Sequence, residues 1–214
     1  MLLFLMLTST ARAEPPSDDE RDLEDFALMA PAETEPPLAW AALVGARVGP
    51  VFPMNSELSA AGMGWVDVGL SPPAFGGRLR GVAAVGYTAP RAQGEVLDPT
   101  LGEPLSYELH HRTLIVSAGL ELRALHRREA VTPLLAVAPA LFSTWTVVSG
   151  EGIASAREVR SQPGLRLTGG MEIAAGPGVI GLQVDYAAAR LDGALTGATS
   201  LRLLQPNLGY RVSL

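Results

Sequence analysis

From Leu38 onward the chain alternates apolar and polar positions with a period of two, and this pattern predicts eight β-strands. The first, Leu38 to Val48, sets Trp40, Ala42, Val44, Ala46 and Val48 against Ala41, Leu43, Gly45 and Arg47. The second, Gly64 to Leu70, sets Val66, Val68 and Leu70 against Trp65 and Asp67; the third, Leu79 to Tyr87, sets Leu79, Ala83, Val85 and Tyr87 against Arg80. The fourth, Thr113 to Arg123, is the most regular, with Leu114, Val116, Ala118, Leu120 and Leu122 opposite Thr113, Ser117, Glu121 and Arg123. A fifth spans Thr132 to Val147 with Leu135, Val137, Leu141 and Trp145 outward, and its Pro133 and Pro139 predict a bulge or distortion, because proline cannot donate to a ladder. The sixth (Gly164 to Ala174) opposes Leu165, Leu167, Met171 and Ile173 to Arg166, Thr168 and Glu172, and the seventh (Val179 to Ala189) opposes Ile180, Leu182, Val184 and Tyr186 to Gln183 and Asp185. The eighth, from about Leu203, ends in Leu208, Tyr210, Val212 and Leu214 alternating with Asn207, Gly209, Arg211 and Ser213.

The connections alternate in length. Those after odd-numbered strands are long (49–62, 88–105, 149–163 and 191–200), and those after even-numbered strands are shorter (71–78, 125–130 and 175–178). An up-and-down meander with unequal ends produces this rhythm, as transmembrane barrels do with short periplasmic turns and longer external loops.

Charge sharpens the picture. Within the strands the apolar faces carry no charged residue, while the other faces carry Arg47, Arg80, Arg123, Arg166 and Arg211 together with Asp67, Glu121, Glu172 and Asp185. A soluble sandwich or lipocalin-like barrel satisfies the same alternation with the polar side in water. Three features favour lipid: a signal-like start, a final strand with no tail, and mixed charges spaced for an internal network. An arginine facing lipid at the bilayer midplane costs ~2–4 kcal/mol, which is a physical cause for excluding charge from one face. Closure of eight strands also removes the open edges that a membrane does not tolerate.

Composition adds compartment and organisation. Residues 1–13 read as a signal peptide truncated at its N-terminus, a short apolar run followed by Ala11-Arg12-Ala13. Residues 14–37 read as an acidic, Pro-rich periplasmic linker, since nine of the 22 acids lie before residue 36. A Ser17-Asp18-Asp19-Glu20 capping box there predicts a short helix over 18–29. The remaining chain is nearly neutral, which gives no basic face for nucleic acid. The absence of cysteine excludes disulfides, thiolate metal sites and thiol nucleophiles. No metal-ligand cluster or Gly-rich phosphate loop stands out, so no cofactor is expected.

From Leu38 to Leu214 the chain resembles the small OmpA-type, porin-like outer-membrane β-barrels: eight alternating strands, the long-short rhythm, and a terminal Leu208-x-Tyr210-x-Val212-x-Leu214. The resemblance implies an all-β, eight-stranded antiparallel up-and-down transmembrane barrel in the bacterial outer membrane, preceded by a signal remnant and an acidic linker. It implies that Leu208, Tyr210, Val212 and Leu214 act as an assembly signal read by the barrel-assembly machinery, with Leu214 standing where the family usually ends in an aromatic residue. Tyr210 is expected in the periplasmic-side aromatic belt and Arg211 against a lumenal acid.

An eight-stranded barrel is just wide enough for side chains. The nine charges, with Trp65, Gln183, Gln205 and Asn207, are therefore expected to fill the lumen, leaving a structural or surface-interaction role through long external loops whose ligand is not specified. Two alternatives remain. Some small outer-membrane barrels resemble lipid A-modifying enzymes with a Ser, a His and an acid near one rim, and Ser106, Tyr107, Glu108, His110 and His111 lie near the outer end of the fourth strand; His126, by a short turn, has no partner in sequence. The other is a soluble secreted β-sandwich or lipocalin-like binding protein.

Overall fold

The computed structural model describes residues 40–54, 58–97, 104–125, 130–150, 153–193 and 197–214. The expected signal remnant, acidic linker, its helix and His126 lie outside these residues. The strands are β1 (Ala41–Pro53), β2 (Ala61–Ser71), β3 (Leu79–Thr88), β4 (Arg91–Leu97), β5 (Pro104–Arg123), β6 (Val131–Gly150), β7 (Ile153–Ala175), β8 (Gly178–Gly193) and β9 (Gly197–Ser213).

All nine belong to one antiparallel sheet in which each strand pairs with its sequence neighbour, apart from β3 and β4. Those two are successive parts of one stave, interrupted at Ala89-Pro90, and both pair with β5. Two further pairings close the ring. β9 pairs with β1, from Leu43 opposite Ser213 to Val48 opposite Leu208, and β3 pairs with β5, from Leu79 opposite Leu122 to Thr88 opposite Thr113. The result is an eight-stave up-and-down barrel, as the alternation predicts, with β9 paired on both sides and no open edge in its wall.

Alternation in sequence becomes alternation across the wall. In β1, Ala41, Leu43, Gly45 and Arg47 are buried while Val44, Ala46 and Val48 are exposed. The exterior is a continuous apolar band to which every stave contributes, among them Val48 at 65%, Val66 at 58% and Leu135 at 64% exposure, with Val85, Val116, Leu167, Leu182 and Leu208 between them. A soluble monomer does not present an apolar surface of this extent to water. Trp40 and Tyr210 lie toward the short-turn end of this band, and Phe52, Tyr87 and Trp145 lie toward the other, as two aromatic levels at lipid-water interfaces do. Tyr210 donates its hydroxyl to the Ala175 carbonyl oxygen at 3.0 Å, beside the β7–β8 turn. That turn places Gly176 at φ 57°, and the β2–β3 turn places Gly76 and Gly77 at 66° and 70°, a region where a side chain is strained.

One expectation is corrected, and a second is met only in part. The spans 88–105 and 149–163, expected as loops, are largely strand: β4 and the start of β5 occupy the first, and the β6–β7 hairpin occupies the second. β5, β6 and β7 run for 20, 20 and 23 residues against 13, 11 and 10 for β1, β2 and β3, so a four-stranded ribbon rises above the rest of the rim. Beyond the lipid both faces of a hairpin meet water, and the apolar alternation that reveals a strand is lost. The prolines of β6 also leave its register intact. Pro133 and Pro139 stand opposite Met171 and Leu165 without a shift, and the irregularity lies instead between Val148 and Gly150. Pro139 interrupts only the β5–β6 ladder, whose pairs skip from Ser117–Ala140 to Leu120–Val137.

Candidate functional site in the barrel lumen

The inward positions carry the candidate residues: Arg47 on β1, Asp67 on β2, Arg80 on β3, Glu121 and Arg123 on β5, Arg166 and Glu172 on β7, Asp185 on β8 and Arg211 on β9. All nine are at most 5% exposed, and the structure joins them into one connected network of ion pairs. β6 contributes no charge to it.

Asp185 organises one end. Its Oδ2 accepts from Arg47 Nη1 at 2.9 Å and Asn207 Nδ2 at 2.8 Å, and its Oδ1 accepts from Arg166 Nη2 at 2.7 Å and from the Thr168 hydroxyl. Arg47 Nη1 also donates to Gln183 Oε1 at 2.8 Å, and Arg166 Nη1 to Ser117 Oγ at 3.3 Å. The other end pairs Arg80, Arg123 and Arg211 with Glu121 and Glu172. Arg80 Nη1 lies 2.6 Å from Glu121 and 2.9 Å from Glu172, Arg211 Nη1 lies 2.9 Å and 2.7 Å from the same two, and Arg123 Nε lies 3.2 Å from Glu172. Asp67 ties the two ends together, accepting from Arg47 Nε and Arg211 Nε at 2.8 Å each. Arg211 thus meets three lumenal acids, Asp67, Glu121 and Glu172.

The backbone makes room for these long side chains. In the β1–β9 register Arg211 stands opposite Gly45, and Arg47 stands opposite Gly209. A methyl at either glycine would overlap the arginine stem lying across it. Glycine at both sites therefore lets two guanidinium stems lie flat against the wall.

Trp65 separates the charged layer from what lies toward the long-strand end. The guanidinium of Arg166 sits 4.2 Å from the centroid of its ring and that of Arg47 5.6 Å, within cation–π range. Its Nε1 donates to Gln205 Oε1 at 2.6 Å, and Gln205 Nε2 donates to the Met63 carbonyl oxygen at 3.0 Å. With Trp65 begins a layer the sequence did not reveal: Val51, Met63, Ala84, Ile115, Ala140, Phe142, Ala187, Ala189, Leu201 and Leu203 form a buried apolar cluster inside the barrel. Several of these sit among polar inward neighbours and read in sequence as lapses of alternation. Beyond the cluster, Thr88, Thr113, Thr144 and Thr146 are buried. A gap of ≈ 10 Å³ at the β5–β6 wall is lined by Glu121, Arg166, Thr168 and Arg211 on its inner side and by Leu120 and Val137 on its outer side, about the room one water needs.

The residues of the enzyme alternative separate. His111 turns inward, is buried, and meets Thr146 Oγ1 at 2.9 Å through Nδ1. His110 turns outward with its Nε2 3.2 Å from Glu108 Oε1, and Arg91 lies 3.9 Å from the same carboxylate. Ser106 is one strand repeat further along β5, opposite Glu95. Ser106 and Ser149, the latter opposite Glu108, share the outward face with His110, while His111 is on the inner one; no cluster of metal-ligating residues occurs among the described residues. The terminal residues Leu208 and Tyr210 face outward in the apolar band, and Leu214 is exposed with its backbone N–H donating to the Ala42 carbonyl oxygen at 2.9 Å.

No protein-family model matches the sequence, and no curated protein matches it. Among solved structures, the fold is similar to the attachment invasion locus protein Ail of Yersinia pestis, crystallised with the heparin analogue sucrose octasulfate (15% identity, 80% of this chain and 97% of that one, TM-score 0.45). It is similar also to Neisserial surface protein A (16%, 82% and 97%, 0.44) and to the N-terminal β-barrel domain of Pseudomonas aeruginosa OprF (10%, 80% and 97%, 0.42).

Proposed function

We propose that this chain is an integral outer-membrane β-barrel with a closed lumen, acting as a structural or surface-interaction protein through the hairpins at its long-strand end. The observation that carries the reading is the inversion of an ordinary protein: large apolar side chains cover the outside, and arginine-carboxylate pairs fill the inside. In water this arrangement would expose the apolar band and bury nine charges. In a bilayer the band is solvated by lipid, and the paired charges are shielded from it by the wall.

Each lumenal carboxylate meets at least two cationic or hydrogen-bonding groups. Such a network stiffens the barrel, and it offers no solvent-connected acid-base pair for catalysis. No cofactor or metal enters this reading. Biogenesis through the barrel-assembly machinery, with Leu208, Tyr210, Val212 and Leu214 as the signal, is part of the proposal; so is an external partner for the β4–β7 ribbon.

Fractionation of expressing cells tests the location, with recovery in the detergent-extracted outer membrane expected and recovery in the soluble periplasm overturning it. Planar-bilayer recording tests the lumen. The bilayer should stay electrically silent after insertion; large stable openings would contradict a closed interior.

A further inference from the structure

The exterior of the barrel carries a second constellation that the lumenal network does not use. Just above the aromatic level at the long-strand end, Tyr87, His110, Arg112, Trp145, Val147 and Arg157 line an outward-facing groove of about 540 Å³. The register explains the grouping. Arg112 on β5 stands opposite Trp145 on β6, and in the next row outward Arg91, His110, Val147 and Arg157 align across β4, β5, β6 and β7. Arg112 and Arg157 thus flank β6 from its two sides, one row apart and about 12 Å from each other on the sheet, within the combined reach of two guanidinium side chains to one anion.

The charges facing the groove are arranged by depth. Glu108, the nearby acid on the same face, lies one row further from the lipid and engages His110 at 3.2 Å and Arg91 at 3.9 Å. Arg112 and Arg157 are exposed and form no ion pair with a described residue. Below them the next row toward the band holds Tyr87, Leu114, Ser143 and Ser161, the two serine hydroxyls paired at 3.1 Å, and the row after it is the apolar Val85, Val116 and Leu141. A free anion has no use for that floor. A lipid does, because its chains can remain against the band while its headgroup meets the guanidinium groups at headgroup level.

We infer that Arg112 and Arg157, lining one groove with Trp145 and Tyr87, form a binding site on the outer wall of the barrel for the phosphate of a membrane-embedded phosphorylated lipid. The inference rests on the membrane-barrel reading above. The guanidinium fork suits bidentate contact with phosphate oxygens, and the aromatic rings fix the depth at which the headgroup is held. The site orients the long ribbon relative to the membrane surface by gripping one leaflet of it.

The test uses the folded full-length barrel in detergent, titrated with diphosphoryl lipid A and with the same lipid stripped of both phosphates, with bound lipid counted by native mass spectrometry. Insertion into phosphatidylcholine vesicles, followed by the heat-sensitive gel mobility of a folded barrel, is measured in parallel and reports on the membrane reading alone. The wild type should prefer the phosphorylated lipid, and R112Q/R157Q should bind it roughly thirtyfold more weakly, from about fivefold for each cation near an anionic surface. The variant should insert as the wild type does, because both side chains lie outside the lumen. Equal binding of the two lipids by an inserted wild type overturns the site, as does undiminished binding by R112Q/R157Q. Complete displacement of the lipid by 10 mM inorganic phosphate also overturns it, showing an anion site indifferent to lipid. Failure to insert would overturn the membrane reading itself.

Discussion

Arg211 of β9 reaches over β1 to Asp67 of β2, its Nε donating to Oδ1 at 2.8 Å. The two strands are not neighbours; β1 lies between them, and Gly45, opposite Arg211, supplies the gap through which the stem passes. The contact therefore braces β9 to β2 across the seam where the last strand meets the first. Because Asp67 also accepts from Arg47 at 2.8 Å, one carboxylate holds both ends of the lumenal network together.

Replacing Asp67 by Asn should therefore destabilise the barrel by ~3–5 kcal/mol, the cost of leaving buried guanidinium groups without their counter-charge. Urea unfolding in lipid vesicles measures it. The loss should be nearly the same at 0.1 and 1 M KCl, since salt screens buried pairs poorly. A marginal effect that vanishes in high salt would mean that water reaches the network.

The glycines beneath the arginine stems yield a test of packing rather than charge. Gly209→Ala brings a methyl into the Arg47 stem and within 2.6 Å of the Ala46 carbonyl oxygen, whereas Gly62→Ala meets nothing within 4 Å. The first should cost ~1–3 kcal/mol through overpacking, and the second should fall within about 0.5 kcal/mol of wild type. Equal effects at the two sites, by the same unfolding measurement, would remove the stem-on-glycine account.

The side to which each residue points was legible in sequence; the depth at which it lies was not. A period of two assigns Arg47, Asp67 and Arg211 to one face wherever the alternation is regular, and closure then brings those faces together. Alternation carries no height, so it could not stack Phe142, Ile115 and Leu203 into an apolar layer beyond the charges; that needs the register between strands. The ribbon was illegible for a related reason. In Ala156-Arg157-Glu158-Val159-Arg160 both faces carry polar residues because neither meets lipid, and the strand loses its signature while keeping its hydrogen bonds. His110 and His111, grouped at one rim in sequence, necessarily split between the two faces once that segment is strand.

A charge scan along the outer wall separates a bilayer from water as the surrounding solvent. Val116 lies in mid-band between Val85 and Leu141, while Val159 stands on the ribbon opposite Trp145. Val116→Arg should lower stability in vesicles by ~2–4 kcal/mol, and Val159→Arg by ~0–1 kcal/mol. If both substitutions were neutral, the exposed valines, leucines and aromatics of the band would not be facing lipid.

His111 distinguishes a structural rim from a catalytic one. Its Nδ1 meets Thr146 Oγ1 at 2.9 Å across the β5–β6 pair, inside the barrel, while His110 and Glu108 face outward and Ser106 lies further along the strand. Replacing His111 by Ala removes that contact and leaves a buried hydroxyl without its partner, a loss of ~1–3 kcal/mol. Mass spectra of lipid A extracted from cells expressing wild type, His111→Ala, or no protein should be identical. A modified lipid A species present with wild type and missing with the variant would return the histidine to catalysis, and would require a nucleophile outside Ser106.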